Sequence, residues 1–139
     1  MPTASLTRRL SFSAAHRYRR PDWSDEKNAA TFGACSLPNY HGHNYVCEVT
    51  VSGAISEETG FLIDLVELDR ILAAEVTLRF DHRNINLEVP EFADGKLIPS
   101  GENLARFIFE KVQQRLGGTA RVTRVTVGED TTLSSTYES

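Results

Sequence analysis

HGHNYVCEVTVSG, residues 41–53, alternates without a break, so that His41, His43, Tyr45, Cys47, Val49 and Val51 share one parity. A period of two is the signature of a strand with one face buried, and Gly53 closes the run. Before it, LTRRLSFSAAHRY puts Leu6, Leu10, Phe12, Ala14 and His16 on one parity, which predicts a first strand ending near His16. Residues 17–39 are polar and carry Pro21, Gly33 and Pro38, the composition of a long loop. Long loops inside compact domains are often functional.

After the strand at residues 41–53, Asp64 stands three residues before Glu67 in a capping-box arrangement. Leu65, Leu68, Ile71 and Leu72 follow at helical spacing, which predicts a helix ending before Asp81. Ser100 can cap a second helix with the stripe Leu104, Ala105, Ile108, Phe109, Val112 and Leu116, stopped by Gly117 and Gly118. Two more strands are predicted around residues 121–127 and 133–137, either side of the turn-like GEDTT. The order ββααββ is that of an α+β domain, a four-stranded antiparallel sheet with both helices on one face. At 139 residues the expectation is a single domain over residues 1–139.

Composition narrows the function classes. Hydrophobic residues are 40% and charged residues 24% of the chain, the balance of a soluble protein. No run approaches the roughly eighteen apolar residues of a spanning helix, and the N-terminal segment lacks a signal-peptide core. The expected address is the cytoplasm, with no membrane partner. A net charge of −4 argues against a general nucleic-acid binder. Cys35 and Cys47 are the only cysteines, and a reducing compartment would keep both as thiols.

Residues two apart in a strand project to the same side, so His41 and His43 can reach one metal ion. A lone His-x-His pair is also met as two exposed histidines at a loop edge. Pairing of the first two strands would add His16, giving three neutral imidazoles and one open position, the donor set of a catalytic zinc site rather than a closed structural one. A strand-end histidine satisfied by a carbonyl is the alternative for His16. Cys35, six residues before His41, can fold back toward the metal, where a nearby cation would lower its pKa and make it a base or nucleophile. Cys47, on its strand, reads as a small buried thiol. Asp81 and His82 are adjacent, and a carboxylate beside an imidazole suits a proton relay.

Taken in order, AAH, CSLPNYHGHNY, DHRNIN, PSGEN and VTVGED resemble the 6-pyruvoyl-tetrahydropterin synthase family over nearly the whole chain. The resemblance implies the tunnelling fold, or T-fold, in homo-oligomeric barrels, a hexamer built as a dimer of trimers. It implies a zinc enzyme acting on 7,8-dihydroneopterin triphosphate, with elimination of triphosphate. The metal ligands would be His16, His41 and His43, and the acid-base residues Cys35, Asp81 and His82. Glu129 would anchor the amino-pyrimidine edge of the pterin, with Glu102 and Ser100 near the ring. Where the animal pyruvoyl branch has a hydroxyl pair before the second-helix glutamate, this chain has Ser100 and Gly101, so one hydroxyl is missing.

Four rivals remain at this point. The 6-carboxy-tetrahydropterin synthases of queuosine biosynthesis share substrate, metal ligands and acid-base residues; the six-residue step from Cys35 to His41 resembles the pyruvoyl branch more. A side-chain-cleaving folate variant has a glutamate where Leu37 stands. A silent pterin- or purine-binding module would need neither Cys35 nor the Asp81–His82 pair. A metal hydrolase would explain the histidines but neither Cys35 nor Glu129. The arginines 17, 19 and 20 follow a metal ligand directly, and Arg19 and Arg20 are expected to meet the triphosphate, because guanidinium groups bind phosphate oxygens in pairs.

Overall fold

The computed structural model describes residues 2–139. In chain order its elements are β1 (Thr3–His16), α1 (Asp25–Phe32), β2 (His41–Ala54), α2 (Leu65–Leu72), α3 (Leu78–Phe80), β3 (Arg83–Asn84), α4 (Ile85–Glu88), α5 (Gly101–Leu116), β4 (Arg121–Gly128) and β5 (Ser134–Glu138). They form one sheet in the order β3-β1-β2-β4-β5. The four long strands are antiparallel neighbours. The short β3 adds a fifth strand, parallel to β1 at Ala14 and Ala15, so the sheet is one strand larger than the sequence pattern predicts.

The alternating pattern of β2 becomes a buried face. Tyr45, Cys47, Val49 and Val51 are fully buried, with Phe12 and Ala14 beside them on β1 and Val122, Val125 and Val127 on β4. The stripe of α5 covers this face with Leu104, Ala105, Ile108, Val112 and Leu116. Burying a Leu, Ile or Val side chain contributes about 1.5–3 kcal/mol, so the register that puts this parity inward is strongly selected. That register sets His16 opposite His41 and Ala14 opposite His43. The same face that packs the core therefore carries the histidines to one end of it.

Local signals act as read, with one exception. Asp64 caps α2 by accepting from Val66 N at 2.9 Å, and Ser100 caps α5 by accepting from Asn103 N at 3.2 Å. Glu67 does not close a capping box; it pairs with Arg70 instead. The helix begun by α2 runs through a wide turn of π-helical geometry, Ala73–Thr77, and ends with α3 just before Asp81.

The loop expected over residues 17–39 contains α1, which is a correction to the sequence reading. Ser24 caps it, accepting from Lys27 N at 3.1 Å, with Asp25 and Glu26 in its first turn. Its one buried residue is Asn28, whose amide donates to the carbonyls of Arg20 and Ser24. A helix anchored by an asparagine has no apolar stripe to betray it. No helix among the described residues is long and apolar enough to cross a membrane.

Candidate active site

His16, His41 and His43 come together across the β1–β2 ladder, and their potential ligand atoms all lie within 4.8 Å of one another. Gly42 separates two of them because a Cβ there would stand 3.3 Å from the carbonyl oxygen of Ala14. The ring of His16 is fully buried, and its Nδ1 lies 2.8 Å from the carbonyl oxygen of Pro99. A carbonyl can only accept, so Nδ1 carries the hydrogen and Nε2 is the unprotonated nitrogen, 3.4 Å from the Tyr45 hydroxyl. The Tyr45 hydroxyl stands 3.1 Å from the same Nδ1. Fixing one ring nitrogen through an outer partner is how proteins orient a metal-binding imidazole.

Three observations fit a cation at this point. Nε2 of His43 is buried with no hydrogen-bond partner, an arrangement that costs free energy unless something binds there. Burial, more than the neighbouring histidines, lowers the pKa of His16 from 6.5 to about 4 against the pull of the Pro99 carbonyl. Burial followed by His43 lowers that of His41. Neutral imidazoles are the form that coordinates metal. The donor set is three nitrogens, which leaves room for a further ligand.

This electrostatics has a consequence for the metal-free chain. A histidine with a depressed folded pKa leaves stability intact above the unfolded value of 6.5 and reduces it as pH falls toward 4, because only the unfolded chain takes up the proton. The slope is about 1.4 kcal/mol per pH unit, so urea midpoints should reveal a loss of about 2 kcal/mol between pH 6.5 and 5. Equal stabilities at pH 7 and pH 5 would mean that His16 is not held neutral.

Glu129 lies beside the histidines at the end of β4, where its backbone N–H closes the turn on Leu133 at 3.0 Å. Its Oε2 is 4.0 Å from Nε2 of His43, and its Oε1 accepts from the Tyr18 hydroxyl at 2.8 Å. Sequence reasoning missed Tyr18. The phenol packs edge-on to His16 and His41, and its backbone N–H donates to the carbonyl of Cys35 at 2.8 Å. The available signal was parity, since Tyr18 continues the inward series that ends at His16.

Cys35 sits in a short helical turn, Gly33–Ser36, clamped by the Arg17 guanidinium, which donates twice to the Ser36 carbonyl at 3.0 and 2.8 Å. Asn86 grips the backbone of Arg17 in turn, accepting from its N–H and donating to its C=O, each at 2.9 Å. Burial first, and the charge of Glu129 second, push the Cys35 thiol up. The downward shift expected from sequence therefore has no source in the protein's own groups and would have to come from a bound cation. Cys47, inside the core, is pushed up to about 12 by burial.

Asp81 and His82 adjoin one another, and His82 lines a surface pocket together with Gly42 and His43. Asp81 accepts from the Ser13 N–H at 2.9 Å, and that bond, more than His82, holds its carboxyl below the usual range. Nδ1 of His82 lies 3.1 Å from Asp81 Oδ2, while its side chain is 85% exposed. Both residues bond the main chain of Ser13, Asp81 to its N–H and the His82 N–H to its carbonyl, and no hydrogen bond or ion pair among the described residues joins Asp81 or His82 to the cluster or to Cys35. Among the described residues the non-glycine positions with a left-handed backbone are Tyr40 (φ 63°), next to His41, and His82 (φ 60°). Such conformations cost about 1–2 kcal/mol and gather at functional sites.

In the chain without ligand each arginine of the basic cluster has a partner. Arg17 is taken up by Ser36, Arg19 pairs with Asp25 at 3.0 Å and Arg20 with Asp22 at 3.4 Å. Ser100 and Glu102 begin α5, immediately after the Pro99 carbonyl that holds His16.

Comparison with known proteins agrees with this fold. A family profile described as 6-pyruvoyl tetrahydropterin synthase matches residues 5–139. The 6-pyruvoyl tetrahydrobiopterin synthase of Pongo abelii is 42% identical over 113 residues, covering 81% of this chain and 77% of that protein. A protein of Archaeoglobus fulgidus named as a putative 6-carboxy-5,6,7,8-tetrahydropterin synthase is 36% identical over 90 residues, covering 65% of this chain and 70% of its own. The solved structure of Caenorhabditis elegans 6-pyruvoyl tetrahydropterin synthase superposes with a TM-score of 0.92 at 34% identity, covering 100% of this chain and 97% of that one. A T-fold sheet with three histidines gathered at its end, matched in sequence over nearly its full length, places this chain in the 6-pyruvoyl tetrahydropterin synthase family of enzymes.

Proposed function

We propose that this chain, acting as one domain over residues 1–139, converts 7,8-dihydroneopterin triphosphate to 6-pyruvoyl-tetrahydropterin with elimination of triphosphate, using zinc held by His16, His41 and His43. The observation that carries the reading is the histidine cluster, with an unpartnered buried Nε2 on His43 and the Glu129 carboxylate 4.0 Å away. Zinc in such a site supplies a Lewis acid toward the oxygens of the substrate side chain.

Glu129 binds the pterin by accepting two N–H bonds from its amino-pyrimidine edge, as a carboxylate does from a guanidinium. Glu102 and Ser100 lie toward the ring. Cys35 takes the proton from the side-chain carbon, and Asp81 with His82 carries protons as triphosphate leaves. Oxidation of the side chain is matched by reduction of the ring, so no external redox cofactor takes part.

His82 is exposed beside β3, and the sheet has two free edges, β3 and β5. Unpaired edges are covered when copies join, which suits a barrel of several chains, a hexamer as a dimer of trimers. Two free thiols suit a cytoplasmic enzyme.

Incubation with dihydroneopterin triphosphate and identification of the product by mass tests the proposal. The pyruvoyl product is expected. The carboxy product would favour the queuosine-pathway reading, which the similarity to the Archaeoglobus fulgidus protein supports. Binding without turnover would leave a pterin-binding module.

Glu129→Gln tests the anchor separately. An amide offers one acceptor and one donor where two acceptors are needed, and a hydrogen bond to a charged group contributes about 1.5–3 kcal/mol. Affinity for biopterin should fall about ten- to a hundredfold with zinc retained. Unchanged affinity would return Glu129 to the status of a turn residue.

A further inference from the structure

Gly101, the buried first residue of α5, backs onto β5. A Cβ on residue 101 would come within 2.6 Å of Ser135 Oγ and 3.2 Å of Ser135 Cβ, so no side chain fits there while Ser135 keeps its place. The hydroxyl of Ser135 fills that space and donates to Glu102 Oε1 at 3.0 Å. Ser100 does not compete for this carboxylate through its capping bond, which goes to Asn103 N. The contact also sits between the two halves of the site. Ser135 is opposite Val127 in β4, two residues before Glu129, while Gly101 follows Pro99, the carbonyl that holds His16, by two residues.

We propose that Ser135 is a positioning residue for Glu102. Its side chain supplies, from β5, the hydroxyl that α5 lacks at Gly101, and it fixes the direction in which the Glu102 carboxylate meets the substrate. Residues 101 and 135 then form one volume shared between helix and strand: a hydroxyl can come from either element, not from both. The functional half of this inference rests on the reading above that Glu102 touches the pterin; the packing half does not.

Four variants separate these halves, read by biopterin affinity, zinc content, KM and kcat, and melting temperature. Ser135→Ala removes the hydroxyl without adding bulk, and should weaken biopterin about three- to tenfold, raising KM while kcat changes less than twofold and zinc stays bound. Gly101→Ser alone sets Cβ against Oγ and should lower the melting temperature as well as the affinity. The double variant G101S/S135G returns a hydroxyl from the helix side, and should regain most of both losses, a coupling expected only of residues in contact.

A double variant no more stable than G101S, or an S135A protein with parental affinity, overturns the proposal. Glu102→Gln distinguishes its failure from that of the functional reading: unchanged biopterin affinity there removes Glu102 from the substrate site and overturns the functional half. If the parent protein does not bind biopterin at all, the pterin reading itself is overturned. The melting temperatures still decide whether residues 101 and 135 share their space.

Discussion

Cys35→Ala is expected to keep its zinc and its urea midpoint and to lose about a hundred- to ten-thousandfold in turnover, the range for a positioned acid or base. The thiol is firmly held. The Arg17 guanidinium fixes the Ser36 carbonyl, the Tyr18 N–H fixes the Cys35 carbonyl, and both donors follow directly on His16. The turn that carries the thiol is thereby tied to the strand that carries the buried histidine. Burial and the charge of Glu129 raise the thiol in the metal-free protein, so its activity as a base should depend on the cation. Cys47→Ala is the control: its thiol lies wholly inside the core, and its loss should lower stability and leave the rate near normal. Equal activities in the two variants would mean that Cys35 is not the base.

Single alanine variants of the three histidines are expected to lose zinc, with affinity falling more than about a hundredfold, beyond the 10–100-fold cost of removing an outer partner. Their metal-free stabilities should differ in a way that the geometry dictates. His16→Ala empties a fully buried position and leaves the Pro99 carbonyl without its donor, which costs about 1–3 kcal/mol for the carbonyl alone. His43→Ala removes a buried nitrogen that has no partner, so the metal-free fold should lose little or even gain. Metal analysis and urea melts on the same samples check both effects. Zinc retained at full occupancy in all three variants would remove the basis of the site.

The sheet and its two long helices were legible because their buried faces are written in side chains at fixed periods. The parity of β2 alone placed His41 and His43 with Tyr45 and Cys47 on the inward face, and strand pairing then had one way to bring His16 to them. What escaped was held by polar groups and backbone. The α1 helix turns its single buried side chain, Asn28, toward the carbonyls of Arg20 and Ser24, a contact with no periodicity. The β3 strand is two residues long, too short for any pattern. A carbonyl partner for His16 is one of the readings that the sequence offers, but no residue type singles out that of Pro99.

The candidate site was legible as a set of residues and less so as a place. Adjacent Asp81 and His82 were readable as a pair, but their bonds to the main chain of Ser13 belong to the fold alone. The arginines after His16 suggested phosphate, yet their spacing said nothing of the neighbouring acids Asp22 and Asp25 that pair with them. The sequence marks Gly101 by the hydroxyl it lacks. Only the close approach of β5 identified Ser135 as the side chain occupying that space.

The most direct test of the account is the metal dependence of turnover. Protein stripped with a chelator, then titrated with zinc and assayed on dihydroneopterin triphosphate, should be inactive at the start and should recover in proportion to bound metal, reaching its plateau at about one zinc per chain. The pterin product should appear in step with released triphosphate. Full turnover by protein shown to be metal-free would contradict the account at its centre, since the three histidines would then have no part in the chemistry.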